Sequence, residues 1–358
     1  LKISTNAYRV QFQSKEEQLA FMQNNINNLS IDYIEENLPV RSFSMVNDPQ
    51  FPNQDYLHTP YMENLIYIPE NEEVLVAVID SGIDINHPDL MDNIYHNNLE
   101  IENGIDDDNN GYIDDIHGLN LLYTDENGQS ILPKDEFNHG THISGIIGAK
   151  KNNNVGISGI HSHLKILPIK FISASGYGNQ ANAAEAIYYA VAMGADIINC
   201  SWGFFRYTQI LEDAINFAIE NNVLVVAAAG NSNSNVQEYP AAFDNVIAVG
   251  ATNQEGNISS YSNYGPHIDF MGLGSQILST LTNQTYGTLT GTSQSAAMIT
   301  GIIAKIKGYF SGFSNHDIMS LLVQSSVQIQ QNTSSQGTGY GMINTSALQD
   351  NMQRLASD

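Results

Sequence analysis

From Val74 onward the chain alternates short apolar runs with stretches in which apolar residues recur at helical spacing. Residues 74–79, 164–169, 196–199, 223–227 and 246–249 are near-continuous apolar runs of buried-strand length. Between them, residues 183–193 and 211–219 carry their apolar positions on one helical face. Strands covered on both sides lose the in-out alternation of half-exposed ones. The pattern therefore predicts βαβ units: an α/β fold with a mainly parallel central sheet and helices on both faces.

The beginning of the chain reads differently. Residues 6–13 and 30–35 alternate as strands, and Ser14 to Glu17 forms a capping box ahead of Leu19, Phe21 and Met22, which predicts a helix between them. A strand-helix-strand piece of this size buries little by itself, so it is expected to lean on the rest. The Pro-rich stretch 38–69 reads as an irregular linker, and the Asn/Ser/Gln-rich tract 324–336 as a surface loop. The expected division is a small α+β unit with its linker at 1–44, a main domain at 45–350 and a tail at 351–358.

Composition narrows the function. The 358 residues include 38 Asp and Glu against 13 Lys and Arg, a net charge of −25. Such a surface argues against tracking phosphates, so no nucleic-acid partner is expected, and it favours cations. Cys200 is the only cysteine, which excludes an internal disulfide and a cysteine-rich metal site. The apolar run 223–229 stops at Gly230, well short of the ~18 to 20 residues of a membrane span. The chain opens on Leu1 without a basic-plus-apolar signal, so an upstream targeting segment is expected to have been removed.

Three positions carry chemistry. Asp80 ends the first buried strand, where open α/β sheets place their sites. His139 stands at the start of a helix, and Ser293 precedes the apolar segment 296–304, near the positive end of a buried helix. Singly, each has a bland explanation: an Asp at a strand-to-turn junction, a structural His, a Ser cap. Together, and in this order, they stand in the blocks Val76-Ala-Val-Ile-Asp-Ser-Gly-Ile83, His139-Gly-Thr-His-Ile-Ser-Gly145 and Gly291-Thr-Ser-Gln-Ser-Ala-Ala297. A fourth block, Ala227-Ala-Ala-Gly-Asn231, closes a buried strand.

With these blocks the chain resembles the subtilisin-like serine proteases, over residues 47–348 and including a closing segment at 339–344. The resemblance implies a three-layer subtilisin-like fold and a serine endopeptidase. Ser293 would be the nucleophile, His139 the base and Asp80 the group that orients it, with Asn231 and the Ser293 N–H as oxyanion donors. It also implies that Ser201, Trp202 and Gly203 pair with an extended substrate, and that Ala228, Ala229 and Gly230 wall a roomy specificity pocket. Glu238 would lie near the pocket's rim and add a preference for Lys or Arg. Ala297 and Met298 stand where most members carry Pro and His; Ala keeps a helix intact, but the packing behind the nucleophile is altered.

Residues 104–115 form a run of hard oxygen ligands with Gly111 at a tight turn, but His117 stands where an EF-hand has its Glu. By resemblance this is a calcium loop, with the side chains of Asp106, Asp108, Asn110 and Asp115 and the Tyr112 carbonyl as ligands. A second calcium site is implied at the Asn153 side chain, the Lys151, Val155 and Ile157 carbonyls, Asp89 and Asp48. Residues 6–40 resemble the second half of a subtilase prodomain, an intramolecular inhibitor, with maturation between Pro39 and Asn47. A docking segment that is never removed is the alternative. The combined expectation is a secreted or extracytoplasmic, monomeric, calcium-stabilised endopeptidase acting on polypeptides. Its rivals are a catalytically inactive subtilase-fold binding module and a calcium-dependent adhesion domain.

Overall fold

The computed structural model describes residues 10, 15–25, 46–126, 129–329 and 337–356. The chain divides into two compact units, Leu1–Met45 and Val46–Asp358. In the first, helix α1 spans Lys15–Asn25, where the sequence predicts one. The flanking strands and the Ser14 cap expected there lie outside the described residues.

The second unit begins with three 3₁₀ turns, Phe51–Asn53, Asp55–His58 and Leu65–Tyr67. They bury Tyr56, Leu65 and Ile68 in the main core, so this stretch is part of the body and not the linker that its prolines suggest. Strand β1 (Val74–Asp80), β2 (Leu119–Asn120), helix α2 (His139–Gly148) and β3 (Leu164–Lys170) follow. Then come α3 (Gln180–Ala192), β4 (Ile197–Cys200), α4 (Gln209–Glu220), β5 (Leu224–Ala228), β6 (Ile247–Thr252) and β7 (Phe270–Leu273). A hairpin of β8 (Ile277–Leu281) and β9 (Thr285–Leu289) leads into α5 (Thr292–Tyr309). The chain closes with α6 (Asn315–Gln324), β10 (Ser326–Val327), β11 (Met342–Ile343) and α7 (Thr345–Leu355). The polar tract thus contributes a helix end and a short strand, while residues 330–336 lie outside the described residues. A boundary at 350 falls inside α7, whose Asn351 and Met352 are buried.

Among the described residues nine strands form one sheet, ordered β10-β11-β7-β6-β5-β4-β1-β3-β2 and parallel except for β10. Successive side chains of a strand point to opposite faces. Val76 and Val78 accordingly enter one core with α2 and α5, while Ala77 and Ile79 enter a second with α3 and α4. Both faces are covered, which is why the strand reads as a continuous apolar run.

Helix α5 is buried along nearly its whole length, with only Lys307 and Tyr309 left outside the buried set. Ala297 and Met298 are enclosed in the first core and the helix runs through them unbroken, as the helix-forming character of Ala predicts. After β3 the chain crosses to the other side of β1 to form β4. Such a reversal opens a crevice at the carboxyl ends of the strands, and Asp80, residues 201–203 and residues 228–231 all stand at that end.

Candidate active site

Asp80 is the last residue of β1 and fully buried. Both its oxygens meet the Nδ1 of His139, at 2.8 and 3.0 Å, and Oδ1 also accepts from the Ser81 N–H at 2.7 Å. With Nδ1 facing the carboxylate, Nε2 is the ring nitrogen left for chemistry. Burial alone would lower the His139 pKa. The charge and hydrogen bond of Asp80, backed by the charge of Asp135, outweigh it and hold the pKa above its ordinary value. The other histidine of this block, His142, faces the Ile277 and Gly287 carbonyls of the hairpin. Burial and the charge of His139 push its pKa down to about 3.

A second carboxylate, which sequence reasoning missed, fixes this geometry. Asp135 is buried and accepts from the N–H groups of Phe137, Asn138 and Thr141 and from the Thr141 hydroxyl, capping the first turn of α2. The Ser81 hydroxyl donates to Asp135 at 2.9 Å and accepts from the Gly140 N–H at 2.9 Å. The residue after Asp80 is thereby tied to the residue after His139. Only the Asp spaced four before the His could have hinted at this in the sequence.

Ser293 is the second residue of α5. Its hydroxyl donates to the Ser201 carbonyl at 2.9 Å, and the Ser201 hydroxyl returns a bond to the Ser293 carbonyl at 3.0 Å. A single O–H proton has one acceptor, so the hydroxyl must turn to hand its proton to His139; catalytic hydrogen bonds often tighten only with substrate in place. Asn231, exposed at the end of β5, is oriented from the same helix. The Thr292 N–H and hydroxyl donate to its Oδ1 at 2.9 and 3.1 Å, and the Thr292 hydroxyl in turn accepts from the Gly230 N–H. A backbone N–H can only donate, so the atom facing it is the oxygen and the Asn231 NH₂ is turned away from the helix, free to donate.

A sequence profile described as the Subtilase family matches residues 71–341. The chain belongs to the subtilase family. It is 33% identical over 327 residues to a thermophilic serine proteinase of Bacillus sp. (strain AK1), covering 89% of this chain and 73% of that protein. To thermitase of Thermoactinomyces vulgaris it is 32% identical over 273 residues, covering 75% and 88% respectively. A solved protease of Pseudoalteromonas arctica PAMC 21717 superposes with a TM-score of 0.72 over 88% of this chain and 100% of that one. At 24% identity it shows the shared fold. This subtilase is a serine endopeptidase with the three-layer α/β architecture of its family.

The remaining expected contacts of the subtilase divide into those brought together and those turned elsewhere. Ser201, Trp202 and Gly203 follow β4. The Trp202 ring is buried against Phe171 and donates from Nε1 to the Ile79 carbonyl at 2.7 Å. Ala228, Ala229 and Gly230 lie at the end of β5. Glu238 sits deeper than a rim, only 8% exposed.

In the acidic loop, ligand oxygens of Asp108 and Asp115 lie within 4.8 Å of each other and of Glu100, which the sequence reading missed. The Asn110 amide bridges Asp108 and Asp115 at 3.2 and 3.0 Å. Asp106 instead accepts from the N–H groups of Asn110 and Gly111, shaping the turn. The Tyr112 hydroxyl donates to Glu185. At the other expected metal site, Asp48 and Asp89 are buried close enough to repel, and burial raises the pKa of both. Asn153 donates to Asp89 at 2.9 Å, its N–H donates to Asp48, and the Tyr286 hydroxyl also reaches Asp89. The carbonyls of Lys151, Val155 and Ile157 accept no hydrogen bond from a described residue, while the Lys151 ammonium pairs with Glu70 at 2.9 Å. Two buried carboxylates and three carbonyls that accept no hydrogen bond from a described residue are oxygen ligands of the kind calcium takes. Among the described residues no helix is long and apolar enough to cross a membrane.

Proposed function

We propose that this subtilase cleaves polypeptides through an acyl-enzyme on Ser293. His139 takes the Ser293 proton at Nε2 as Oγ attacks the peptide carbonyl carbon. Asp80 keeps the ring in the tautomer that allows this and stabilises the imidazolium. The tetrahedral oxyanion receives the Asn231 NH₂ and the Ser293 N–H. His139 then protonates the leaving amine, and water, activated by the same ring, releases the acyl group. The observation that carries this reading is the two-oxygen grip of Asp80 on His139 Nδ1, coupled with an Asn231 amide already turned outward by Thr292. Residues 201–203 would pair with the substrate main chain and residues 228–230 would flank its side chain, which gives broad recognition of extended chains.

Two calcium ions would stabilise the fold, one held by Asp48, Asp89, Asn153 and the carbonyls of Lys151, Val155 and Ile157, the other by Asp108, Asp115, Glu100 and the oxygens of their loop. Their contribution is to neutralise buried carboxylates, not to enter the reaction. Work outside the cytoplasm, where calcium is abundant, follows from that dependence. The unit Leu1–Met45 is assigned as a prodomain segment that restrains the same chain before maturation, and the mature enzyme acts as a monomer.

A serine-directed fluorophosphonate tests the reading. Ser293 should be labelled in calcium, and labelling should vanish in His139→Ala. Asn231→Ala should keep substrate binding but lose about 10²–10³ in kcat, the size of effect known for such a donor in subtilisin. No labelling, even after residues 1–44 are removed, would replace the endopeptidase with a non-catalytic module.

A further inference from the structure

Residues paired in register on neighbouring parallel strands send their side chains to the same face of the sheet. Asp80 ends β1 and its partner Lys170 ends β3, so an amine stands beside the carboxylate that grips His139. Lys170 is only 1% exposed, and a buried ammonium is costly unless it is bonded and paired. Its Nζ donates to the Ser81 carbonyl at 2.6 Å and lies 3.7 Å from Glu136 Oε2. The triad chemistry gives this amine no task.

Ser81 shows what the amine holds. The Ser81 N–H donates to Asp80 Oδ1, its hydroxyl joins Asp135 to the Gly140 N–H, and its carbonyl is taken by Lys170. Every polar group of this residue is engaged. Gly82 turns the chain away at once, at φ +97°, with the Pro133 carbonyl where a Cβ would stand, so the peptide that Lys170 grasps is confined on both sides. The same spot is crowded with negative charge. Asp80 of β1, Asp135 and Glu136 of the loop before α2, and His139 and His142 of α2 are the titratable groups that meet here, and Cys200 of β4 feels the charge of Asp80. Among the described residues Lys170 is the only Lys or Arg that forms an ion pair with any of them. Burial lowers its pKa, and the charges of Glu136, Asp135 and Asp80 work against that.

Two buried carboxylates joined through one residue repel, and uncompensated negative charge beside an imidazole makes it hold its proton at the expense of its use as a base. One ammonium at their junction offsets both effects. We propose that Lys170 is a positioning residue of the active site: it pins the Ser81 peptide that links Asp80 to Asp135, and it supplies the counter-charge that leaves His139 able to give up its proton. It does not touch the reacting atoms. Asp135 and Lys170 thus pull the ring in opposite directions from the two ends of Ser81. This rests on the endopeptidase reading and adds the residue that sets the pH range over which that site works.

The test follows the rate of fluorophosphonate labelling of Ser293 from about pH 5 to 10 in the full chain, wild type against Lys170→Met and Lys170→Arg, with circular dichroism to confirm folding. Met keeps an apolar stem and removes the charge. Its acid midpoint should rise by roughly 0.5–1 pH unit, less than the ~1–3 units of a direct neighbour, because the charge reaches His139 past Asp80. The rate on its alkaline plateau should fall about 10-fold as the Ser81 peptide loosens. Lys170→Arg keeps the charge and should keep the wild-type midpoint. A midpoint that stays or falls in Lys170→Met would show that the amine only braces the sheet, since loosening alone weakens the grip of Asp80 and moves the midpoint down. A midpoint raised as far in Lys170→Arg would remove charge as the cause. If Lys170→Met does not fold, Lys170→Gln, neutral but still a donor, decides by the same shift, and failure of both to fold would make Lys170 a stability residue and end the proposal. Absence of labelling in the folded wild type at every pH would instead overturn the endopeptidase reading.

Discussion

Replacing Asp135 with Asn is the most direct probe of how the two halves of the site are held together. Its carboxylate accepts five hydrogen bonds: Oδ1 from the Ser81 hydroxyl and the N–H groups of Phe137 and Asn138, Oδ2 from the N–H and hydroxyl of Thr141. Hydroxyls can rotate, but backbone N–H groups cannot. The best placement of an amide puts its NH₂ toward Thr141, against a single fixed donor. One bond to a charged acceptor is then lost, ~1.5–3 kcal/mol, and the survivors weaken as the charge disappears, so a loss of about 3 kcal/mol is expected. Against ~5–15 kcal/mol of total stability the variant still folds. The charge of Asp135 also helps hold the His139 pKa up, so its removal should shift the acid limb of kcat/KM to lower pH. Denaturant unfolding in a Ser293→Ala background measures the first effect, and a pH–rate profile in the active background the second. Stability within ~0.5 kcal/mol of the parent, typical of an uninvolved surface change, or an acid limb that stays put, would refute this account of Asp135.

The raised His139 pKa sets activity and stability against each other. Protonated His139 paired with Asp80 contributes stability that is complete below 6.5, its ordinary pKa, and is lost as pH rises through the folded value. The neutral ring needed as a base appears over that same interval. The kcat/KM midpoint should lie above 6.5, and Asp80→Asn should lower both the midpoint and kcat, the latter by about 10⁴-fold; a wild-type midpoint at or below the ordinary value counts against the pairing. Calcium at 100 times its Kd should add ~2.7 kcal/mol per site to the Ser293→Ala protein, with Asp89→Asn and Glu100→Gln each removing one share; an unchanged calorimetric Tm in chelator would eliminate both sites. Glu70 joins the buried Lys305 at 2.8 Å and Lys151 at 2.9 Å. Glu70→Gln should therefore destabilise by about 3–5 kcal/mol, and adding Lys305→Met should restore much of the loss, whereas additive losses in the double variant would dismiss the pair.

Strands and chemistry at strand ends were legible in the sequence because burial on both faces leaves a continuous apolar signature. Val74–Asp80 and Leu224–Ala228 were readable to within a residue, and with them Asp80 and Asn231. Ser293 was readable because the helix behind it is apolar all round. What escaped were residues defined by their partners. Glu100 is one acid among many until the loop closes on Asp108 and Asp115. Asp135 gains its meaning only when the end of β1 meets the start of α2. The turns of residues 46–69 have no period to betray that Tyr56 and Leu65 are core. The depth of Glu238 depends on a long-range bridge to Phe204.

The enclosure of α5 bears on how a population of such molecules ages. Ser293 and the Thr292 clamp ride on a helix that cannot loosen without opening the central core, so they belong to the part of the structure released last. Local opening elsewhere leaves the site intact, and only a copy whose core has opened surrenders its own ability to cut while becoming cleavable throughout. Attack requires one intact molecule and one opened molecule, and loss on standing becomes second order, proportional to the product of the two populations. That product is small when nearly all copies are folded and small again when nearly none are, so self-destruction peaks near the midpoint of unfolding. The burial that keeps the nucleophile in place thus also confines the hazard of making a protease to a narrow band of conditions.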